Sequence, residues 1–141
     1  MYKKLVKYDQ WHYEEVDPVR LKRKAMKLRD QIHQKILKEN DPFEFYTRTL
    51  PIVEAAIKGQ IIKSLDNDSS HFIHANYNWN EREGTLPPEY DRDFEEAVAG
   101  FLVTVEALSL EPHEKITKDG NTYAWLDFEE ESDWPDKMKF P

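Results

Sequence analysis

The stretch DPVRLKRKAMKLRDQIHQKILKEN, residues 17–40, leaves the first third of this chain little choice of structure. Leu21, Ala25, Leu28, Ile32 and Ile36 recur every three or four residues, which lines one side of a helix with apolar groups that must be covered. Asp17 is a suitable cap, and Pro18 stands at the first helical position, where its missing N–H is no loss. Asn40 is a natural end. Eight Lys and Arg residues lie between Arg20 and Lys38, so the remaining faces of the helix are strongly basic.

Asp41–Pro42 repeats the same opening signal. Phe43, Tyr46, Leu50, Val53, Ile57 and Ile61 form the stripe of a second helix, with Pro51 inside it. An interior proline removes a backbone bond and crowds the preceding turn, so the pattern predicts a kink or break near Thr49 and a restart over PIVEAAIKGQIIKSL. DNDSS reads as a loop. A third helix is expected over DRDFEEAVAGFLVTVEALSL, with Phe94, Val98, Phe101, Leu102, Val105 and Leu108 on its apolar face, acids in its first turn, and Pro112 as its stop.

Three other segments look extended. In SSHFIHANYNWNEREG, strand alternation places Ile73, Ala75, Tyr77 and Trp79 on one face and His74, Asn76, Asn78 and Asn80 on the other. In KITKDGNTYAWLDF, Asp119–Gly120 suits a tight hairpin turn between Ile116 on one side and Tyr123, Trp125 and Leu126 on the other. Residues 2–13 read as irregular or as a short strand, with Val6 and Tyr8 alternating with lysines. The expected architecture is α+β, three main helices packed on a small antiparallel sheet. The alternative is a mainly α fold with a C-terminal β-hairpin. At 141 residues, residues 1–141 form one domain, large enough to bury roughly 70% of its unfolded surface. Residues 129–141 are expected to be an acidic, mobile C-terminal tail.

Composition narrows the function. The absence of cysteine excludes disulfides, thiolate metal sites and a cysteine nucleophile. It accords with a reducing compartment, and a cytoplasmic location is expected. The N-terminus has no apolar signal region, and the longest apolar run, Ala97–Val103, falls far short of the about 20 residues a membrane span needs. No membrane association is expected. The net charge of −8 is unevenly spread: the first forty residues sum to +5 and the remainder to −13. Phosphate would be repelled over most of such a surface, which disfavours nucleic acid and suits a basic partner protein. The basic helix face can also dock on the acidic remainder of the same chain.

Catalytic signals are weak. On the strand reading, His71 and His74 point to opposite sides, and a zinc site would need a further ligand from elsewhere, such as Glu81, Glu83 or His113. Arg29 and His33, four apart on the first helix, could meet, one holding phosphate and the other moving a proton. The four glycines are isolated, so there is no phosphate cradle, and Ser69 and Ser70 lack an orienting third group. No metal or cofactor is expected, and the balance leans away from an enzyme.

The leading expectation is a small protein-binding or inhibitory protein that neutralises a basic partner, for example a bacterial immunity or antitoxin-like protein. Its expected contacts are Glu81, Glu83, Asp91, Asp93, Glu129, Glu130 and Trp134. The polar strip of His74, Asn76, Asn78 and Asn80 offers a further hydrogen-bonding surface. The alternatives are a metal-assisted hydrolase or ribonuclease using His71/His74 or Arg29/His33, and a phage or plasmid accessory protein.

Overall fold

A computed structural model describes residues 2–35, 45–65, 92–109, 111–112 and 114–129. Their order is β1 (Tyr2–Asp9), β2 (His12–Tyr13), α1 (Pro18–Lys35), α2 (Phe45–Ile57), α3 (Arg92–Val105), β3 (Lys115–Lys118) and β4 (Asn121–Phe128). The four strands form an antiparallel sheet in the order β2-β1-β4-β3. With three helices this is an α+β arrangement.

Residues 2–9 are therefore a full strand near the middle of the sheet. Lys4, Val6 and Tyr8 are buried, whereas Lys3, Lys7 and Asp9 are exposed, the period-two pattern of a half-buried strand. Lys4 tolerates burial because its ammonium group lies 2.9 Å from the carboxylate of Glu15. The partner strand β4 places Ala124 opposite Val6 and Leu126 opposite Lys4, and buries Ala124 and Phe128 on the same side. At the tip of the β3–β4 hairpin, Asp119 and Gly120 both have positive φ, 52° and 78°, as the Asp-Gly pair suggests.

The start of α1 follows the sequence closely. Asp17 Oδ1 accepts the N–H groups of Val19 at 3.0 Å and Arg20 at 3.2 Å. Leu21, Ala25, Leu28 and Ile32 are fully buried. From α3 come Phe94, Val98, Phe101, Leu102 and Val105, and from α2 Val53 and Ala56. Phe94, Phe101 and Phe128, the bulkiest fully buried side chains among the described residues, each stabilise the fold by about 1.5–3 kcal/mol on burial. α1 is the central helix, packing against both α2 and α3.

Two helix ends differ from the pattern in the sequence. α2 runs unbroken from Phe45 to Ile57 with Pro51 inside, so no break occurs at Thr49. It stops instead at Gly59, whose φ is 71°; Gly59 N–H bonds Ala56 O at 3.1 Å and Gln60 N–H bonds Ala55 O at 2.9 Å. This paired closure needs a left-handed residue, which glycine supplies without strain. Ile61 thus leaves the helix, and the following segment lies alongside residues 14–16, through Val16 N–H to Ile62 O and Ser64 N–H to Glu14 O. α3 ends in the same way. Leu108 N–H bonds Val103 O and Ala107 N–H bonds Thr104 O, with Ala107 at φ 51°. Leu108 is thereby turned out of the helix and is 44% exposed, and the helix ends well before Pro112.

Candidate functional site

The end of α3, the start of α1 and the last residues of β4 enclose a cleft of about 420 Å³. That volume lies within the range of small-ligand and side-chain pockets. Three walls define its chemistry: Tyr13, Glu15 to Asp17 and Arg20; Val103, Thr104 and Ala107 with Leu108, Ser109, Glu111 and Glu114; and Trp125 to Asp127, with Lys3 beside them.

Each wall is held by identifiable bonds. Tyr13 N–H bonds Ala107 O at 3.0 Å, and the Tyr13 hydroxyl donates to Trp125 O at 2.8 Å. This side chain thus ties the β2 wall to β4. Tyr8 stacks edge-on against Tyr13 with ring centroids 5.2 Å apart, and its hydroxyl contacts Ser109 O at 3.4 Å. Lys115 Nζ lies 5.1 Å from the centre of the Tyr8 ring, within cation–π range. Asp17 closes the far end: besides capping α1, its Oδ2 accepts the Glu129 N–H at 2.9 Å.

Among the described residues the lining carries five carboxylates, from Glu15, Asp17, Glu111, Glu114 and Asp127, against two cations, Lys3 and Arg20. Glu15 is matched by Lys4, and Asp17 is occupied by backbone N–H groups. The acid surplus therefore belongs to Glu111, Glu114 and Asp127, which outnumber Lys3, the residue directly across the strands from Asp127. Glu111 and Glu114 are exposed, and among the described residues none of these three carboxylates is ion-paired. Their field reaches the tyrosines. Both phenols are pushed above the ordinary value, chiefly by burial; the charge of Glu111 adds to this at Tyr8. At Tyr13 a hydrogen bond from Ser109 opposes the rise, while Tyr8 and Asp127 reinforce it.

Such a cleft offers carboxylates, a phenol oxygen with lone pairs to spare, and the Trp125 indole, which is 39% exposed. Among the described residues its lining includes no imidazole. These are the groups that receive a guanidinium or ammonium ion. No family model, curated protein or solved structure matches the chain.

The sequence-derived candidates are distributed differently. Asp93 is exposed in the first turn of α3 and does not line the cleft. Glu129 is held within the chain by Arg20 at 3.4 Å and by Arg23. Arg29 faces Glu54 at 3.9 Å, so the basic side of α1 does dock on acidic groups of its own chain. His33 is exposed on α1, and neither Arg29 nor His33 lines the cleft. Glu81, Glu83, Asp91, His113, Glu130, Trp134, His71 and the strip of His74, Asn76, Asn78 and Asn80 lie outside the described residues. Among the described residues, no group of three or more His, Asp or Glu side chains is arranged to hold a metal ion, and no helix is long and apolar enough to cross a membrane.

Sequence reasoning missed Tyr13, Glu111, Glu114 and Asp127 as site residues. Trp125 and Asp127 did carry a signal, since their spacing of two puts them on one face of a strand whose turn was recognisable. Glu111 and Glu114 flank Pro112 in a connection, and only the tertiary fold brings them to Tyr13.

Proposed function

We propose that this chain is a small acidic binding protein that docks and neutralises a basic partner protein, as an immunity or antitoxin-like inhibitor does. The observation that carries the reading is the surplus of carboxylates at Glu111, Glu114 and Asp127 around a cleft containing Trp125. The net charge of −8 supports it at long range, because an acidic surface steers a basic protein toward itself and raises the association rate. An exposed tryptophan beside the acids supplies the aromatic anchor on which binding energy tends to concentrate. A cytoplasmic setting belongs to the same proposal and accords with the lack of cysteine.

The test is tagged co-purification from native cells, followed by reconstitution with the identified partner. Binding should be carried by a protein of high isoelectric point. It should weaken steeply between low salt and about 1 M salt, where the screening length falls to about 3 Å. Glu111→Lys/Glu114→Lys should reduce association while leaving the fold intact, since both side chains are exposed. Equal capture by the charge-reversed protein, or a partner that is itself acidic, would overturn the reading.

A further inference from the structure

The edge of β4 shows how such a partner is held. β3 pairs with β4 only from Asn121 to Ala124, whereas β1 pairs with it from Tyr123 to Phe128. Beyond Ala124, the side of β4 turned away from β1 has no strand partner among the described residues. Along a strand, both main-chain polar groups of alternate residues point to the same edge. Two bonds identify which residues address this edge: Trp125 O accepts the Tyr13 hydroxyl, and Glu129 N–H donates to Asp17 Oδ2. Asp127 lies midway between them. Its N–H and C=O therefore face the same edge, and Asp127 itself lines the cleft.

The loop that precedes β3 departs from β4 at this point. Pro112 carries no N–H with which to extend the ladder, and Glu111, Pro112 and Glu114 form the opposite wall. Between the bonded Trp125 C=O and Glu129 N–H, the strand edge at Asp127 is thus without a main-chain partner among the described residues, on the floor of an acid-lined cleft. Sheet edges of this kind are commonly completed by a strand from another chain, with main-chain bonds giving affinity and alternate side chains entering pockets.

We infer that the cleft receives an extended basic segment of the partner, which adds as a short strand at Asp127 and places an arginine or lysine side chain between Glu111, Glu114 and Asp127. This rests on the acidic-binder reading and specifies its mode. Charge complementarity selects the occupant: Arg20 is engaged by Glu129, so Glu111, Glu114 and Asp127 outnumber Lys3, and a cationic side chain also meets the Tyr13 oxygen and the Trp125 ring. An extended segment satisfies the Asp127 main chain, which a helical one cannot do.

The test uses the full chain and the hexapeptide Val-Arg-Val-Arg-Val-Arg, acetylated and amidated. A second peptide has Glu in place of Arg. Two more carry backbone N-methyl groups, at residues 2 and 4 or at residues 3 and 5. Binding is measured by calorimetry and by exchange protection of the Asp127 amide. The arginine peptide should bind and protect that amide, and the glutamate peptide should not. One methylated peptide should lose binding while the other keeps it, because only alternate N–H groups face the edge. Glu111→Lys/Glu114→Lys should weaken binding by about tenfold or more.

Equal binding of both methylated peptides, with the charge dependence retained, would overturn strand addition and leave the acidic-binder reading standing. No binding of the arginine peptide to a protein that still captures its basic partner would do the same. Equal binding of the glutamate peptide, or preference for a single-stranded oligonucleotide, would overturn both.

Discussion

Asp17 joins two parts of the molecule that are far apart in sequence, and its removal should be costly for two separable reasons. Oδ1 caps α1 through Val19 and Arg20, and Oδ2 holds Glu129 N–H at 2.9 Å. The side chain is only 4% exposed, so water replaces these bonds poorly. Loss of a helix cap costs about 1 kcal/mol. A backbone bond to a charged acceptor adds about 1.5–3 kcal/mol. Asp17→Ala should therefore destabilise by about 2.5–4 kcal/mol on these two figures. Asp17→Ser keeps a cap but cannot also reach Glu129, so it should lose only the second contribution. In urea, with a slope of about 2 kcal/mol per molar, Asp17→Ala should lower the midpoint by about 1–2 M, with Asp17→Ser between it and the wild type. Coincident midpoints for Asp17→Ser and wild type would refute the bridging role; coincident midpoints for Ser and Ala would refute the cap.

Other perturbations follow from the same geometry. Lys4→Met alone should destabilise by about 3 kcal/mol by removing the partner of Glu15, whereas Lys4→Met/Glu15→Leu should recover much of that loss in thermal unfolding. Gly120→Ala should lower stability by about 1 kcal/mol or more through its φ of 78°, because a Cβ there meets nothing within 4 Å. Thr49 is fully buried, and its hydroxyl has no partner among the described residues, so Thr49→Val should stabilise by about 1 kcal/mol in the same assay. Tyr8 and Tyr13 have native values raised above that of an exposed phenol, so the folded state holds protons that the unfolded state has lost. Stability should be intact below about pH 10 and fall as the pH rises from there through the native values. Absorbance titration near 295 nm should show these phenols ionising after the exposed ones, and unchanged stability across that window would refute the shift.

Much of the fold was legible because local chemistry and tertiary structure agree. Asp17–Pro18 starts α1 where a cap should, the stripe from Leu21 to Ile32 is the buried one, and Asp119–Gly120 makes the turn its composition favours. The helix ends were harder. Gly59 stops α2 although apolar periodicity continues into Ile61, and Ala107 takes a left-handed conformation that nothing about alanine announces. The importance of β1 was hidden by Lys4, which reads as a surface residue and is buried where the Glu15 carboxylate, just beyond β2, meets its ammonium group. The cleft was the least legible part. Its acids come from residues 111–114 and 127, its phenol from residue 13, and no local pattern links segments about a hundred positions apart.

The pairing of β1 with β4 sets the order in which this molecule can assemble. The strand made first lies next to the strand made last of those described, and Tyr2 waits for Phe128 across nearly the whole length of the chain. During synthesis, among the described strands, the early one has just the two-residue β2 as company until β3 and β4 are made, so α1 and α2 can associate long before the sheet closes beneath them. Such distant pairing makes for slow, late consolidation. The cleft shares that timing, since neither the edge at Asp127 nor the bond from Tyr13 exists until the final strand has docked.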